Sequence, residues 1–304
     1  MPFLSLLIVL IVAGIAVFVA IAILLADSLL CPPRMSDGKA LHLYQRLSPD
    51  DLNLPFENVA FEIIDESSPR QKIMIAGWWI PAVNASSRCV ILIHGYAESK
   101  VAAIAWAPAW RSLGFHVLAI DLRAHGDSGG RFCTAGFWER FDLSQIIDDL
   151  KSARPDQARQ IVLFGASMGA SVALAAAVDR NDLCRLVIDS PYEQFVSAAR
   201  TNAAARAMPS GICFTLATKI AQWRAGSRYA DLDTDRLLPR VPCPVMWIHG
   251  TNDSLVNAQP IERAMQSRAN PLDQIWIVEG AEHLGSVHVA GDEISRRLTA
   301  FVGS

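Results

Sequence analysis

The sequence predicts an α/β fold: a mostly parallel central sheet with helices on both faces, a small helical cap and an N-terminal transmembrane helix. Three observations predict it. Short, continuously apolar runs at 89–94, 116–121, 160–164, 185–189, 244–249 and 274–278 alternate with helical patterns at 101–113, 139–153, 168–179, 258–268 and 287–302. Strands apolar at nearly every position are buried on both faces, which is the condition of a parallel sheet between helical layers. The rhythm breaks once, for about 50 residues between Asp189 and Pro244, an interval too long for a simple crossover. The first 26 residues stand apart from all of this.

From Phe3 to Ala26 the chain carries no charge and one hydroxyl side chain. About 20 apolar residues cross the hydrocarbon core of a bilayer, so this run is long enough to span with some tilt. A cleaved secretory signal has a basic start and an apolar run of roughly 7–15 residues. Neither feature is present, and residues 1–26 read as a retained anchor. Arg34, Lys39 and Arg46 follow the span closely, which predicts a cytoplasmic catalytic domain.

Residues 27–56, with Pro32, Pro33, Pro49 and Pro55, read as a juxtamembrane linker holding a short helix. Residues 57–304 form the expected catalytic domain. It opens with two alternating, β-rich runs at 57–65 and 72–82, which predict an antiparallel pair. The irregular interval, residues about 191–241, holds helical stretches near 193–207 and 212–224 and reads as a cap inserted over the strand ends. Phe195, Ile212, Phe214, Leu216, Ile220 and Trp223 supply its apolar side chains. About half are expected to pack on the domain and the rest to wall an acyl pocket.

A formal net charge of −3 with no clustered basic patch argues against a nucleic-acid partner. The six cysteines form no C-x-x-C pair and no Cys/His spacing that holds zinc, so no metal site is expected from them. Cys89 and Cys184, at strand starts, read as small core residues, a usage that fits a reducing compartment.

In open parallel sheets the ligand lies beyond the carboxyl ends of the strands. Four ends carry candidate chemistry. "GASMG" at 165–169 joins an apolar strand to a small-residue helix and has the G-x-S-x-G pattern of a nucleophile elbow. Ser167 is the candidate nucleophile, and Met168 N–H, at the helix start, a candidate oxyanion donor. A serine hydroxyl needs a base. His283, past the last strand, is placed for it, with His288 the runner-up. Asp253, beyond "VMWIHG", suits the acid that orients the imidazole, and Asp189, the competitor, suits a helix cap equally well. Tyr96 N–H, after His94-Gly95, is the second oxyanion candidate. His94 and His249 read as sheet-edge residues bonding locally, and His125 as a loop-shaping residue.

These strings, "HGYAESK", "VLAIDLRAHGDSGG", "GASMGA", "IDSPYEQF", "WIHGTNDSLV" and "VEGAEH", resemble the α/β-hydrolase superfamily. More narrowly, they are similar to membrane-anchored serine-aminopeptidase-like hydrolases, over roughly residues 57–303. The resemblance implies the α/β-hydrolase fold, with Ser167 as nucleophile, Asp253 as acid, His283 as base and backbone donors at Tyr96 and Met168. It suggests hydrolysis of a small-molecule acyl substrate, a carboxylic ester, amide or thioester, by a serine hydrolase through an acyl-enzyme with no cofactor. The apolar cap, held near a bilayer, predicts short-to-medium acyl esters or lipid-derived substrates over peptides. Two alternatives remain: a non-catalytic scaffold binding a lipid or protein at the membrane, and acyl transfer by the same residues. Two positions depart from the pattern. Ala124 stands where relatives usually have glycine before His-Gly, which is tolerated if its φ is negative. Ala170 stands where many have another glycine.

Overall fold

The computed structural model describes residues 2–303; Met1 and Ser304, the outer ends of the expected anchor and catalytic domain, lie outside them. Eight strands among these residues form one sheet: β1 (Glu57–Ile64), β2 (Lys72–Ile80), β3 (Arg88–Ile93), β4 (His116–Ile120), β5 (Gln160–Ala166), β6 (Leu183–Asp189), β7 (Val245–Gly250) and β8 (Gln274–Val278). Their spatial order is β1-β2-β4-β3-β5-β6-β7-β8. β1 and β2 are an antiparallel pair, β2 lies antiparallel to β4, and every later pairing is parallel.

Burial explains the two sequence styles. β4 and β7 are buried at every position, and β3 and β5 nearly so, hence their unbroken apolar runs. The edge strand β8 alternates instead, burying Trp276 and Val278 while Ile275 and Ile277 face out. Leu143, Ile146 and Leu150 of the helix Glu139–Ala153 cover one face of the sheet, together with the helix Met168–Val178. Trp106, Trp110, Leu298 and Phe301 cover the other. The register sets Ile93 beside Gly165, Ala166 beside Asp189, and Asp189 beside Ile248. The carboxyl ends of the central strands therefore lie abreast.

Two predicted helices are broken. The segment 101–113 divides into Lys100–Ala103, a 3₁₀ turn and Ala107–Ser112, because Pro108 has no N–H to continue the preceding turn and suits the start of a new helix. The segment 287–302 divides into Ser286–Val289 and Glu293–Val302 around Gly291, whose φ is 51°.

The N-terminal helix runs Pro2–Leu30, four residues beyond the expected end of the span. It is the one helix among the described residues long and apolar enough to cross a membrane. Its first turns are exposed, but Ala22, Leu25, Ala26 and Leu30 are buried against Cys213, Ala217, Ala221 and Ala225 of the cap helix Ile212–Ala225. Alanines and a cysteine at every fourth position let the two helices approach closely. Arg224 closes the far end on Asp27, at 2.6 Å.

This packing corrects the reading of the cap. Phe195 and Phe214 are buried as expected, but Ile212 and Trp223 are 81% and 82% exposed and wall no pocket. The small residues turn inward because a second helix needs that face. Deleting residues 1–32 should therefore cost stability. Loss of two buried leucines, at ~2 kcal/mol each, should lower the melting temperature by roughly 10 °C. Calorimetry on the full and shortened chains in one detergent checks this; equal melting temperatures would show that the contact contributes nothing.

Candidate active site

The elbow is forced by close approach. A Cβ on Gly165 would lie 2.2 Å from the Gly169 carbonyl oxygen, and one on Gly169 would lie 2.2 Å from the Ile93 carbonyl oxygen. The strand, the turn and the neighbouring β3 fit only with glycine at both positions. Between them Ser167 takes φ 51° and ψ −115°, a strained conformation for a residue with a side chain. Its N–H donates to the Asp189 carbonyl (2.9 Å), which pins the strained residue to β6. The side chain stays free for other partners and does not cap the helix.

That partner is His283. Ser167 Oγ lies 2.9 Å from His283 Nε2, and His283 Nδ1 lies 2.8 Å from Asp253 Oδ2. Ser167 thus donates to Nε2 while Nδ1–H donates to the carboxylate. Asp253 Oδ1 accepts from Leu255 and Val256 N–H, at 2.9 and 3.1 Å, so both carboxylate oxygens are engaged. Burial pushes the Asp253 carboxyl up, but the hydrogen bond and charge of His283, with the Leu255 N–H, outweigh it. They hold the group below its ordinary value and therefore ionised. Gly250 sets the distance between the two loops. A Cβ there would lie 2.2 Å from the Ala281 carbonyl oxygen, two residues before His283.

Asp189 plays a different part. Its Oδ1 accepts from Ser190 Oγ (3.0 Å) and Ser286 Oγ (3.3 Å), and it caps no helix. Burial raises its carboxyl to about 6, against those two hydroxyls and the charge of His283. His288 is exposed and stands outside the Ser167–His283–Asp253 chain.

Met168 opens the helix after Ser167, so its N–H has no intrahelical acceptor. The backbone at Gly95 passes beside it: a Cβ on Gly95 would lie 3.5 Å from Ser167 Cβ, which brings the Gly95-Tyr96 turn against the elbow. The Tyr96 phenol donates to the Ser28 carbonyl of the N-terminal helix.

His94 and His249 end interior strands, not sheet edges. His94 bonds locally, as read: its Nδ1–H donates to the Gly95 carbonyl (2.7 Å) and its Nε2 accepts from Leu122 N–H (3.0 Å). Burial and the adjacent His125 push it down to about 3, so it is neutral. His249 lies 4.0 Å from Asp253 through Nε2. His125 shapes its loop, donating to the Arg123 carbonyl (2.9 Å) and accepting from Ala97 N–H (3.1 Å). Ala124 has φ 60°, not the negative value expected. Its N–H bond to the Gly129 carbonyl (2.8 Å) helps hold it there, at a cost of roughly 1–2 kcal/mol that glycine would avoid. Ala170 is fully buried and needs no such strain.

A small cavity of about 60 Å³ adjoins the elbow, lined by Glu98, Phe164, Ala166, Asp189, Leu284 and neighbours. A larger one, about 270 Å³, lies between Arg140, Asp179, Arg236 and Arg240, and no candidate site residue lines it. No group of three or more His, Cys, Asp or Glu among the described residues is arranged to hold a metal.

Comparison with known proteins extends the geometry. Residues 84–230 match the family described as serine aminopeptidase, S33. The chain is 28% identical over 206 residues to the uncharacterized protein YqkD of Bacillus subtilis, covering 66% of this chain and 67% of that one. It is 24% identical over 246 residues to the lysophosphatidylserine lipase ABHD12 of Macaca fascicularis, covering 74% of this chain and 58% of the lipase. The solved esterase Pf2001 of Pyrococcus furiosus superposes with a TM-score of 0.70 at 27% identity, over 90% of this chain and 98% of the esterase. Its sheet order, its strand-end elbow and these similarities give the chain the α/β-hydrolase fold and a likeness to the serine aminopeptidase S33 family.

Proposed function

We propose that the protein is a membrane-anchored serine hydrolase that cleaves carboxylic esters through an acyl-enzyme. One observation carries the reading: the unbroken hydrogen-bond chain Asp253–His283–Ser167 at the carboxyl ends of β7, β8 and β5. The esterase and lipase among its relatives support it.

Ser167 Oγ attacks the ester carbonyl as its proton passes to His283 Nε2. Asp253, ionised and fixed by two backbone N–H groups, steadies the imidazolium. The oxyanion rests on Met168 and Tyr96 N–H. Collapse expels the alcohol with the proton from Nε2. Water, deprotonated by the same nitrogen, then attacks the acyl-enzyme, and the acid leaves with Ser167 restored.

The cavity beside the elbow, about 60 Å³, is small, which favours short acyl chains. The anchor reading rests on the long, exposed apolar first turns, and Ala22, Leu25, Ala26 and Leu30 at the helix end pack on the body, so cleavage near residue 26 would strip a folded contact. Arg34, Lys39 and Arg46 beyond it favour the cytoplasmic side.

The test uses p-nitrophenyl esters of increasing chain length and aminoacyl-anilides on one preparation. Short esters should be turned over at least 10-fold faster than anilides, as expected where a short-acyl cavity adjoins the nucleophile. Preference for anilides would move the protein to peptide substrates.

A further inference from the structure

We propose that residues 28–46, from the last turn of the N-terminal helix through the short helix that follows it, form a strap that positions the oxyanion loop, with Tyr44 and the Tyr96 phenol as positioning residues. The inference rests on the reading of Tyr96 N–H as an oxyanion donor. The loop after β3 has little to hold it from within. Its internal bond, Glu98 N–H to the Gly95 carbonyl, is long at 3.4 Å, and Ala97 sits at φ 58°. A flexible donor is a poor one, since oxyanion stabilisation depends on groups fixed before the charge develops.

The fixing comes from the strap, and its contacts run in register with the loop. Tyr96 Oη donates to the Ser28 carbonyl. Lys39 Nζ donates to the Ala97 carbonyl (3.3 Å), Tyr44 Oη to Glu98 Oε1 (2.8 Å), and Arg46 Nε to the Val101 carbonyl (3.1 Å). Arg34 reaches the loop behind, donating to the carbonyls of His125 (3.2 Å) and Ser128 (2.8 Å), while His125 holds Ala97 N–H.

Helix geometry explains why the contacts form. The last four carbonyls of a helix have no intrahelical donor. At the end of the N-terminal helix, Ser28 O takes the Tyr96 hydroxyl and Leu30 O takes Cys133 N–H at 2.7 Å. The helix end therefore gains its missing donors from the catalytic body. Further along, Ser36 caps the short helix Asp37–Tyr44 by accepting from Lys39 N–H, and that helix presents Tyr44 to the loop.

The central link is Tyr44–Glu98–Gly95. Tyr44 Oη donates to Glu98 Oε1, Glu98 Oε2 lies 3.4 Å from where a Cβ on Gly95 would stand, and Glu98 N–H donates to the Gly95 carbonyl. Glu98 thus ties a tyrosine of the strap to the residue immediately before Tyr96. Loss of the hydroxyl should loosen the turn that aims the Tyr96 N–H, a small misplacement with a large effect on rate.

The experiment uses the full chain in detergent, with p-nitrophenyl acetate and its thiono analogue, whose sulfur is a poor hydrogen-bond acceptor. Tyr44→Phe should lower kcat for the ester about 10-fold, with KM within about twofold and the ester-to-thionoester ratio reduced by a similar factor. Glu98→Ala should do the same, and the double variant should be no worse than either single one, since both break one link. Wild-type kcat and ester preference in Tyr44→Phe, with turnover still abolished by Ser167→Ala, overturns the strap and leaves the nucleophile reading standing. A loss carried by KM alone also overturns it. Turnover that survives Ser167→Ala overturns both.

Discussion

Ser167→Ala is expected to lose ester turnover by a factor on the order of 10⁴–10⁶, and to lose covalent labelling by a fluorophosphonate completely. The side chain makes its one hydrogen bond to His283, and it caps nothing. Its backbone N–H bond to the Asp189 carbonyl survives the change. Alanine meets the same strain at φ 51° that serine does, so the melting temperature should move by no more than about 2 °C, as for a change that touches no packing. The three measurements separate chemistry from folding. A variant that melts normally and still takes the label would place the nucleophile elsewhere.

The parts of the molecule legible in the sequence are those whose cause is local. "QIVLFGASMGASV" names its strand, turn and helix because continuous burial, two obligatory glycines and a small-residue helix follow each other along the chain. The strand-end positions of Asp253 and His283 follow from the same logic, since each lies within a few residues of an apolar run. What stayed illegible depends on partners distant in sequence. Nothing near Tyr44 announces Glu98, 54 residues away, and nothing near Ser28 announces Tyr96. The cap misled for a related reason. Large apolar residues are read as inward, but beside a second helix the inward face belongs to Cys213, Ala217 and Ala221, which leaves Ile212 and Trp223 outside. Ala124 misled because φ is set by the loop it closes, and its own side chain carries no trace of a left-handed turn.

The two carboxylates nearest the histidine should respond to the same substitution in opposite ways. Asp253→Asn is expected to lower kcat by about 10⁴. The amide cannot stabilise the imidazolium, and its NH₂ group can turn His283 to the wrong tautomer. The hydrogen bonds that hold Asp253 ionised are the ones the proposed reaction would use, at 2.8 Å to Nδ1 and from Leu255 and Val256 N–H. Asp189→Asn removes no bond to His283 and should keep activity within about 10-fold, a loss well short of a triad member's. Its signature is in stability. Asp189 is fully buried, and Oδ2 finds no partner among the described residues, so its carboxyl is raised to about 6. In the unfolded chain an aspartate titrates near ~3.9. Below both values the group is protonated in either state and costs nothing. As pH rises between them the unfolded state releases its proton first, and folding loses stability until the native carboxyl ionises too. Two pKa units amount to roughly 3 kcal/mol above pH 6. Asp189→Asn should therefore raise the melting temperature at pH 8 and by far less at pH 4. If Asp189→Asn instead loses more activity than Asp253→Asn, the acid of the triad is Asp189, and the 2.8 Å contact of Asp253 with His283 is structural.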